Sequence, residues 1–290
     1  MASLSRQRIL SRLNDSNRTY IQDRVNYYIR RTAAFALSDK SAHIKDLSPK
    51  KQSAYYFDTL DVARFFPNAR FDYLFGDIVN IPDTPTLLKS RPITDDNHNS
   101  VLLKLNRVRH YNFIDDNIAY QDKTDSIVWR GKAASDHHRV DVCRQYFDHP
   151  RCDIAVSTPL KDNGDTSLTR PALSIEQQLQ HKFILSLEGN DVATNLKWIM
   201  SSNSLCFMRR PRFETWYMEG RLIPNVHYVE LRDDFSDLLE KMDYYSANPK
   251  AAAVINLNAK AYVKEFLDEP REQLISLLVM KRYLELSDQI

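Results

Sequence analysis

Apolar and polar positions follow two different rhythms along this chain. In residues 1–46, Ile9, Leu13, Ile21, Val25, Tyr28 and Ile29 fall at helical spacing with arginines between them, which predicts helices. A β-rich region follows, with the runs AYYFDTLDVARFF, FDYLFGDIV, TLLKSRPI and NSVLLKLNRVRHYNFID. Pro67, Pro82, Pro85 and Pro92 punctuate it, so short strands with loops between them are expected. Near residue 125 the pattern changes to regular alternation. SIVWRG reads as a strand, HHRVDVCRQYFD as a helix and CDIAVS as a strand. SIEQQLQHKF reads as a helix capped by Ser174, ILSLEG as a strand and VATNLKWIMSS as a helix. SLCFMRR and VHYVELRDD are further strands, Ser236 opens the helix DLLEKMDYYSANP, and the segment from Asn248 to Leu286 is helical. Such alternation marks a doubly wound α/β arrangement with a mostly parallel sheet. In that class, ligands bind outside the carboxyl ends of the strands.

Length and charge refine this picture. A chain of 290 residues is long enough for about two domains. Cys143, Cys152 and Cys206 are an odd number without zinc spacing, and reduced thiols are expected. The start, MASLSRQRILSRL, lacks an apolar signal core, and no run of 18 apolar residues occurs, so neither a secretion signal nor a membrane span is expected. The net charge of +2 hides an asymmetry: residues 1–31 carry seven arginines against Asp15 and Asp23. A basic amphipathic segment either packs on its own domain or lies on an anionic membrane surface. A nucleic-acid partner would rest on this segment alone and is not expected.

The chain has only five glycines, Gly76, Gly131, Gly164, Gly189 and Gly220, and no two lie within twenty residues. The glycine-rich phosphate turns of dinucleotide and mononucleotide folds are therefore excluded, because both need closely spaced glycines. A nucleotide here would be held by side chains and a helix terminus. Gly131 and Gly189 end predicted strands before predicted helices, in WRGK and EGND. That is where a phosphate can meet a helix N-terminus. Lys197, in the helix after Gly189, is a cation suited to a diphosphate. Gly76 precedes Asp77 at a strand end, where burial can tune a carboxylate for proton abstraction. Gly164, in Asn-Gly-Asp, reads as a turn. A zinc helix and a nucleophile elbow are absent, and so is Asp-x-Asp, which argues against sugar transferases that hold a cation through it.

The runs NSVLLKLNRVRHYNFIDD, VWRGK, CDIAVS, SIEQQLQHKFILSLEGNDVATNLKWIMSSNSLCFM and ETWYMEGRLIPNVHYVELRDDFSDL together resemble glycosyltransferase family 90, and its bacterial lipopolysaccharide-core branch in particular. Protein O-glucosyltransferases and capsule xylosyltransferases are other members. The resemblance implies an α/β fold of GT-B type, with two Rossmann-like domains facing a cleft. The boundaries it suggests are a basic helical segment 1–50, an acceptor-side domain 51–125, a donor domain 126–265, and a helix 266–290 crossing back to the first domain. It implies inverting transfer from a UDP-sugar to a glycan or lipid-linked acceptor hydroxyl, in lipopolysaccharide core or other surface-glycan synthesis. No cofactor and no essential metal are expected, and the location would be cytoplasmic, or peripheral at the inner face of the membrane. The family's catalytic aspartate falls best on Asp77, with Asp83 as runner-up. Its donor-site elements fall on Arg130, Gly131, Lys132, Gly189, Asn190, Asp191, Val192, Asn195 and Lys197. Asn195 and Glu188 stand where eukaryotic members have arginine, so Arg91, Arg130 or Lys132 would supply the missing charge. Arg91, Lys104, Glu214 and Glu219 are further candidate phosphate or acceptor contacts. The rival expectation is a non-catalytic nucleotide- or glycan-binding module on the same fold, which would lack an acid at the base position.

Overall fold

The computed structural model describes residues 2–50, 52–134 and 137–290. Two helices open the chain, α1 (Ala2–Leu10) and α2 (Asp15–Tyr28), the second started by an Asn14–Asn17 capping box. Ile9 on α1, Ile21, Val25 and Tyr28 on α2, and Ile29 beyond it are buried in the main core. The apolar face of this basic segment is thus consumed by the protein itself. Arg24 is buried with it, while Arg8, Arg12 and Arg18 remain exposed. Residues 29–41 are irregular rather than helical and lead into the two-residue strand β1 (Ala42–His43).

The next segment also departs from its expected type. AYYFDTLDVARFF lies mostly in a helix, α3 (Ser53–Ala63). Tyr55, Thr59 and Ala63 are its buried residues, spaced by four. That period buries one stripe of a helix, and it outweighs the β-propensity of the aromatics. The strands β2 (Arg70–Leu74), β3 (Thr86–Leu88), β4 (Ser90–Pro92) and β5 (Ser100–Leu102) follow, then the single turn α4 (Arg107–His110). The first sheet runs β1-β2-β3-β5, with β2, β3 and β5 parallel. Leu74 pairs with Leu88 and Leu88 with Leu102, so the residues just beyond these three share one edge.

The second half begins with β6 (Thr124–Gly131), α5 (His138–Tyr146), β7 (Cys152–Val156), α6 (Ile175–Gln178) and β8 (His181–Leu185). It continues through α7 (Leu196–Ser201), β9 (Leu205–Met208), β10 (Phe213–Thr215), β11 (Val229–Glu230), α8 (Leu238–Ala247), α9 (Pro249–Lys264) and α10 (Glu269–Leu286). His181–Phe183 belong to a strand rather than to the preceding helix, because His181 already pairs with Thr124. The five-stranded sheet runs β11-β9-β8-β6-β7, all parallel. Its first strand lies between the second and third, so the winding direction reverses between β6 and β8.

Alternation along β6 serves two cores. Ile127 and Trp129 pack with α5, α8 and α9, whereas Val128 packs in the cluster that also holds the first sheet and α10. The halves are also stitched by an antiparallel ribbon in which β4 pairs with β10, Arg91 opposite Glu214. The helix α10 returns to the first half: Glu272 accepts from Arg24, and the Leu286 carbonyl accepts from the Phe35 N–H. No described helix is long and apolar enough to cross a membrane. Cys143, Cys152 and Cys206 are unpaired and buried, and burial pushes the thiols of Cys143 and Cys152 up to about 12.

Candidate functional site

A cleft of about 460 Å³ opens at the carboxyl ends of both parallel sheets. Its floor includes Arg130 and Gly131 at the end of β6, and Leu187 and Gly189 beyond β8. Those two strands flank the winding reversal, which is where open α/β sheets place their ligands. Asp77 and Arg109 enter the same cleft from the first half.

Asp77 follows the end of β2 by way of Gly76, whose φ of +119° is a backbone conformation that side chains other than glycine's resist. Opposite it, beyond β3, the buried Lys89 places its Nζ 2.6 Å from Asp77 Oδ1 and 2.7 Å from Asp191 Oδ2. Ser90 donates to Asp191 Oδ2 at 2.6 Å, and Asn190 Nδ2 donates to Asp77 Oδ2 at 3.3 Å. One ammonium therefore holds two carboxylates, one from each half. Burial disfavours the charge on Asp77, but Lys89, Arg109 and Asn190 together outweigh it and hold the carboxyl below the usual carboxylate range. The more deeply buried Asp191 is shifted upward, mainly by desolvation. Asp77 is thus ionised, partly exposed and on the wall of the cleft.

The cleft is rich in cations. Arg130 is braced by the Asp153 carboxylate at 2.6 Å and by the backbone carbonyls of Asp153 and Pro171. Arg139 donates to the carbonyls of Lys132 and Leu187, and burial together with Arg109 lowers its pKa to about 10. Lys132 and Lys161 line the cleft and are exposed, with no ion-pair partner among the described residues. His137, the cap of α5, places Nε2 3.1 Å from the Gly189 carbonyl. Gly131 has a packing reason to be glycine, since a Cβ there would lie 2.4 Å from the Trp129 ring. Gly189 lies against the Arg139 guanidinium, with 3.1 Å available for a Cβ.

Nine of the residues expected at the site line this cleft together: Asp77, Arg130, Gly131, Lys132, Gly189, Asn190, Asp191, Val192 and Asn195. The Asn195 amide is itself engaged, donating to the Leu185 carbonyl at 2.9 Å. The expected helix start near Asn190–Val192 is not there. Residues 190–195 form turns and α7 begins at Leu196, because the Asp191 side chain is drawn to Lys89 and its carbonyl accepts from the Gly189 N–H. Lys197 also lies elsewhere. It is wholly buried, with Nζ 2.5 Å from Glu219 Oε1, so Glu219 neutralises the charge assigned to a diphosphate. Arg91 and Glu214 form a buried pair at 2.8 Å, with Tyr27 also bonded to Glu214. Gly220 packs against that pair, where a Cβ would lie 2.6 Å from Glu214 Oε2. Lys104 pairs with Glu269 in a separate cavity of about 290 Å³ walled by α3 and α10. Asp83 is exposed on a loop outside the cleft.

Lys89, Arg109, Arg139 and Lys161 were not singled out from the sequence, and His137, beside His138, was weighed only as a metal ligand and set aside. For Lys89, Arg109 and Lys161 no spacing signal existed, since each reaches the cleft only through sheet register or a loop. Among the described residues no group of three or more His, Cys, Asp or Glu is placed to hold a metal ion.

Comparison with known proteins places this geometry in context. The model of the family described as Glycosyl transferase family 90 matches residues 104–287. The chain is 44% identical over 270 residues to the O-glucosyltransferase LpsA of Dichelobacter nodosus, covering 93% of this chain and 84% of that protein. Protein O-glucosyltransferase 3 of Rattus norvegicus is 28% identical over 107 residues, which is 37% of this chain and 21% of that protein. Protein O-glucosyltransferase 2 of Danio rerio is 25% identical over 152 residues, covering 51% of this chain and 30% of its own length.

Proposed function

Because the chain belongs to glycosyltransferase family 90, we propose that it transfers a sugar from a UDP-linked donor to a glycan hydroxyl with inversion, using Asp77 as the base. The observation that carries this reading is the position of Asp77: an ionised carboxylate on one side of a cation-lined cleft, at the winding reversal of the second sheet. The diphosphate lies among Lys132, Lys161, Arg139 and Arg130. The acceptor hydroxyl approaches Asp77. Its oxygen attacks the anomeric carbon, its proton passes to Asp77, and the bond from that carbon to the phosphate oxygen breaks, releasing UDP. A carboxylate this acidic is a weak base, so proton transfer accompanies bond formation rather than preceding it. The cations stabilise charge that develops on the leaving diphosphate, where one lost contact costs ~3–4 kcal/mol. They also take the role that a divalent metal plays elsewhere, which supports a metal-independent reaction.

The pair of parallel sheets facing one cleft, with α10 returning to the first half, supports a GT-B arrangement divided near residues 50, 125 and 265. Glucose is the first donor sugar to test, since the relatives are named O-glucosyltransferases. A surface glycan such as lipopolysaccharide core is the proposed acceptor, reached at the inner membrane face with help from the exposed Arg8, Arg12 and Arg18. Equal liposome binding after replacing these three by glutamine would remove that membrane role. The central experiment screens UDP-sugars for hydrolysis and thermal shift with and without EDTA. Turnover of UDP-glucose that survives EDTA is expected. No turnover and no shift with any UDP-sugar would favour a non-catalytic module.

A further inference from the structure

We propose that Arg109 is a substrate-contacting residue, the cation through which the first half of the chain grips the donor diphosphate opposite Lys132, Lys161 and Arg139. The inference rests on the nucleotide-sugar reading above and adds to it a phosphate ligand from the acceptor side of the cleft.

The backbone around Arg109 is fixed. Asn106, at φ +56°, accepts from the N–H groups of Arg109 and His110 at 3.1 Å each. Arg107 is tied to Asp58 at 2.6 Å and also to Asp61, and His110 is buried. Arg107 and Arg109 thus sit two residues apart with opposite fates. Two carboxylates neutralise Arg107, while Arg109 is exposed in the cleft and has no acceptor among the described residues. Among the described residues, the carboxylates at this edge, Asp77 and Asp191, both bond to Lys89, and Arg109 acts on Asp77 through its field without a hydrogen bond. Across the cleft, Lys132 and Lys161 have no ion-pair partner among the described residues, and the Arg139 guanidinium donates there to the carbonyls of Lys132 and Leu187. Arg109 disfavours the charge on Arg139, so the two walls of the cleft carry cations that repel one another. An anion lying between the two walls relieves that repulsion and bonds to both. A guanidinium can meet a phosphate through two parallel N–H donors, which suits a group that must hold a leaving diphosphate in one orientation.

The test compares Arg109→Met and Arg109→Lys with the full-length wild type, using UDP in titration calorimetry and steady-state kinetics with the donor that the screen identifies. Arg109→Met is expected to bind UDP about tenfold more weakly and to lose on the order of 10²-fold in kcat. The UDP affinity of Arg109→Met should also depend less on salt. Arg109→Lys should recover part of both losses, and Arg210→Met, a change at an exposed arginine paired with Glu230, should change neither. Wild-type UDP affinity and kcat in Arg109→Met would overturn the inference while leaving the functional reading intact. A wild type that neither binds UDP nor turns over any UDP-sugar would overturn both.

Discussion

Single side chains here separate into those that face the cleft and those that neutralise one another behind it. Asp77→Asn keeps the shape of the base and removes its proton affinity. Transfer should fall at least ~100-fold while UDP still binds, and near-normal transfer would end the assignment. Because Asp77 is held below the ordinary carboxylate range, it stays ionised down to acidic pH. The rate profile should therefore show no loss from this group between pH 5 and 7, and an acid limb centred in that window would contradict the assignment. Lys197 belongs to the second class. Lys197→Ala leaves Glu219 charged and buried, which costs about 3–5 kcal/mol, so chemical denaturation should shift strongly while the folded fraction retains its UDP affinity. His110 gives a pH signature of its own. It is buried with neither ring nitrogen bonded among the described residues, and burial followed by Lys197, Lys89 and Arg109 lowers its pKa to about 2. The unfolded chain therefore binds a proton that the folded one refuses, and stability falls as pH drops below the unfolded value near 6.5. This histidine should contribute about 1.4 kcal/mol per pH unit through pH 5 to 4, a slope that His110→Gln should remove from urea titrations.

At the scale of elements, the second half was the legible part. Its strands end in glycines or start after turns, and its helices carry recognisable caps such as Ser174, which accepts from the Gln177 N–H. Those signals are local, so one sequence suffices to find them. The helix α3 was missed because its burial period of four hides in a run of aromatics that favours strands equally well. The short α7 was overextended to Val192 because Val192, Leu196 and Ile199 keep a helical apolar spacing. A tertiary contact, Lys89 with Asp191, holds that stretch in turns instead. Gly76 shows how an element boundary shapes chemistry. A Cβ there meets nothing closer than 4.0 Å, so the barrier to substitution is the backbone angle and not space. Gly76→Ala should cost about 1–3 kcal/mol of strain. Relief of that strain moves Asp77, so kcat should fall even at temperatures where the variant remains folded. Thermal unfolding and kinetics run side by side would check this.

Across the whole molecule, the cleft is made by parts that sequence proximity cannot reveal. Residues 77 and 190 meet, as do 89 and 191, and 91 and 214. Resemblance to a family supplied the donor-side elements, but Lys89 and Arg109 appear only once both sheets are folded. The same wiring makes the protein depend on α10. Removing residues 269–290 would strip cover from Ile21 and Val25 and leave Arg24 buried without Glu272. The truncated chain should be insoluble or unfolded by circular dichroism, and a folded product would contradict the continuous core. The ribbon that joins β4 to β10 also has a consequence for birth on the ribosome. Synthesis proceeds at ~5–20 residues per second, so residues 90–92 wait for residues 213–215, and α2 waits longer still for α10. For an interval on the order of ten seconds or more, the nascent chain carries an apolar helix face and unpaired strands with nowhere to dock. Shelter by chaperones during translation, rather than rapid folding afterwards, should then govern how much of this protein a cell obtains.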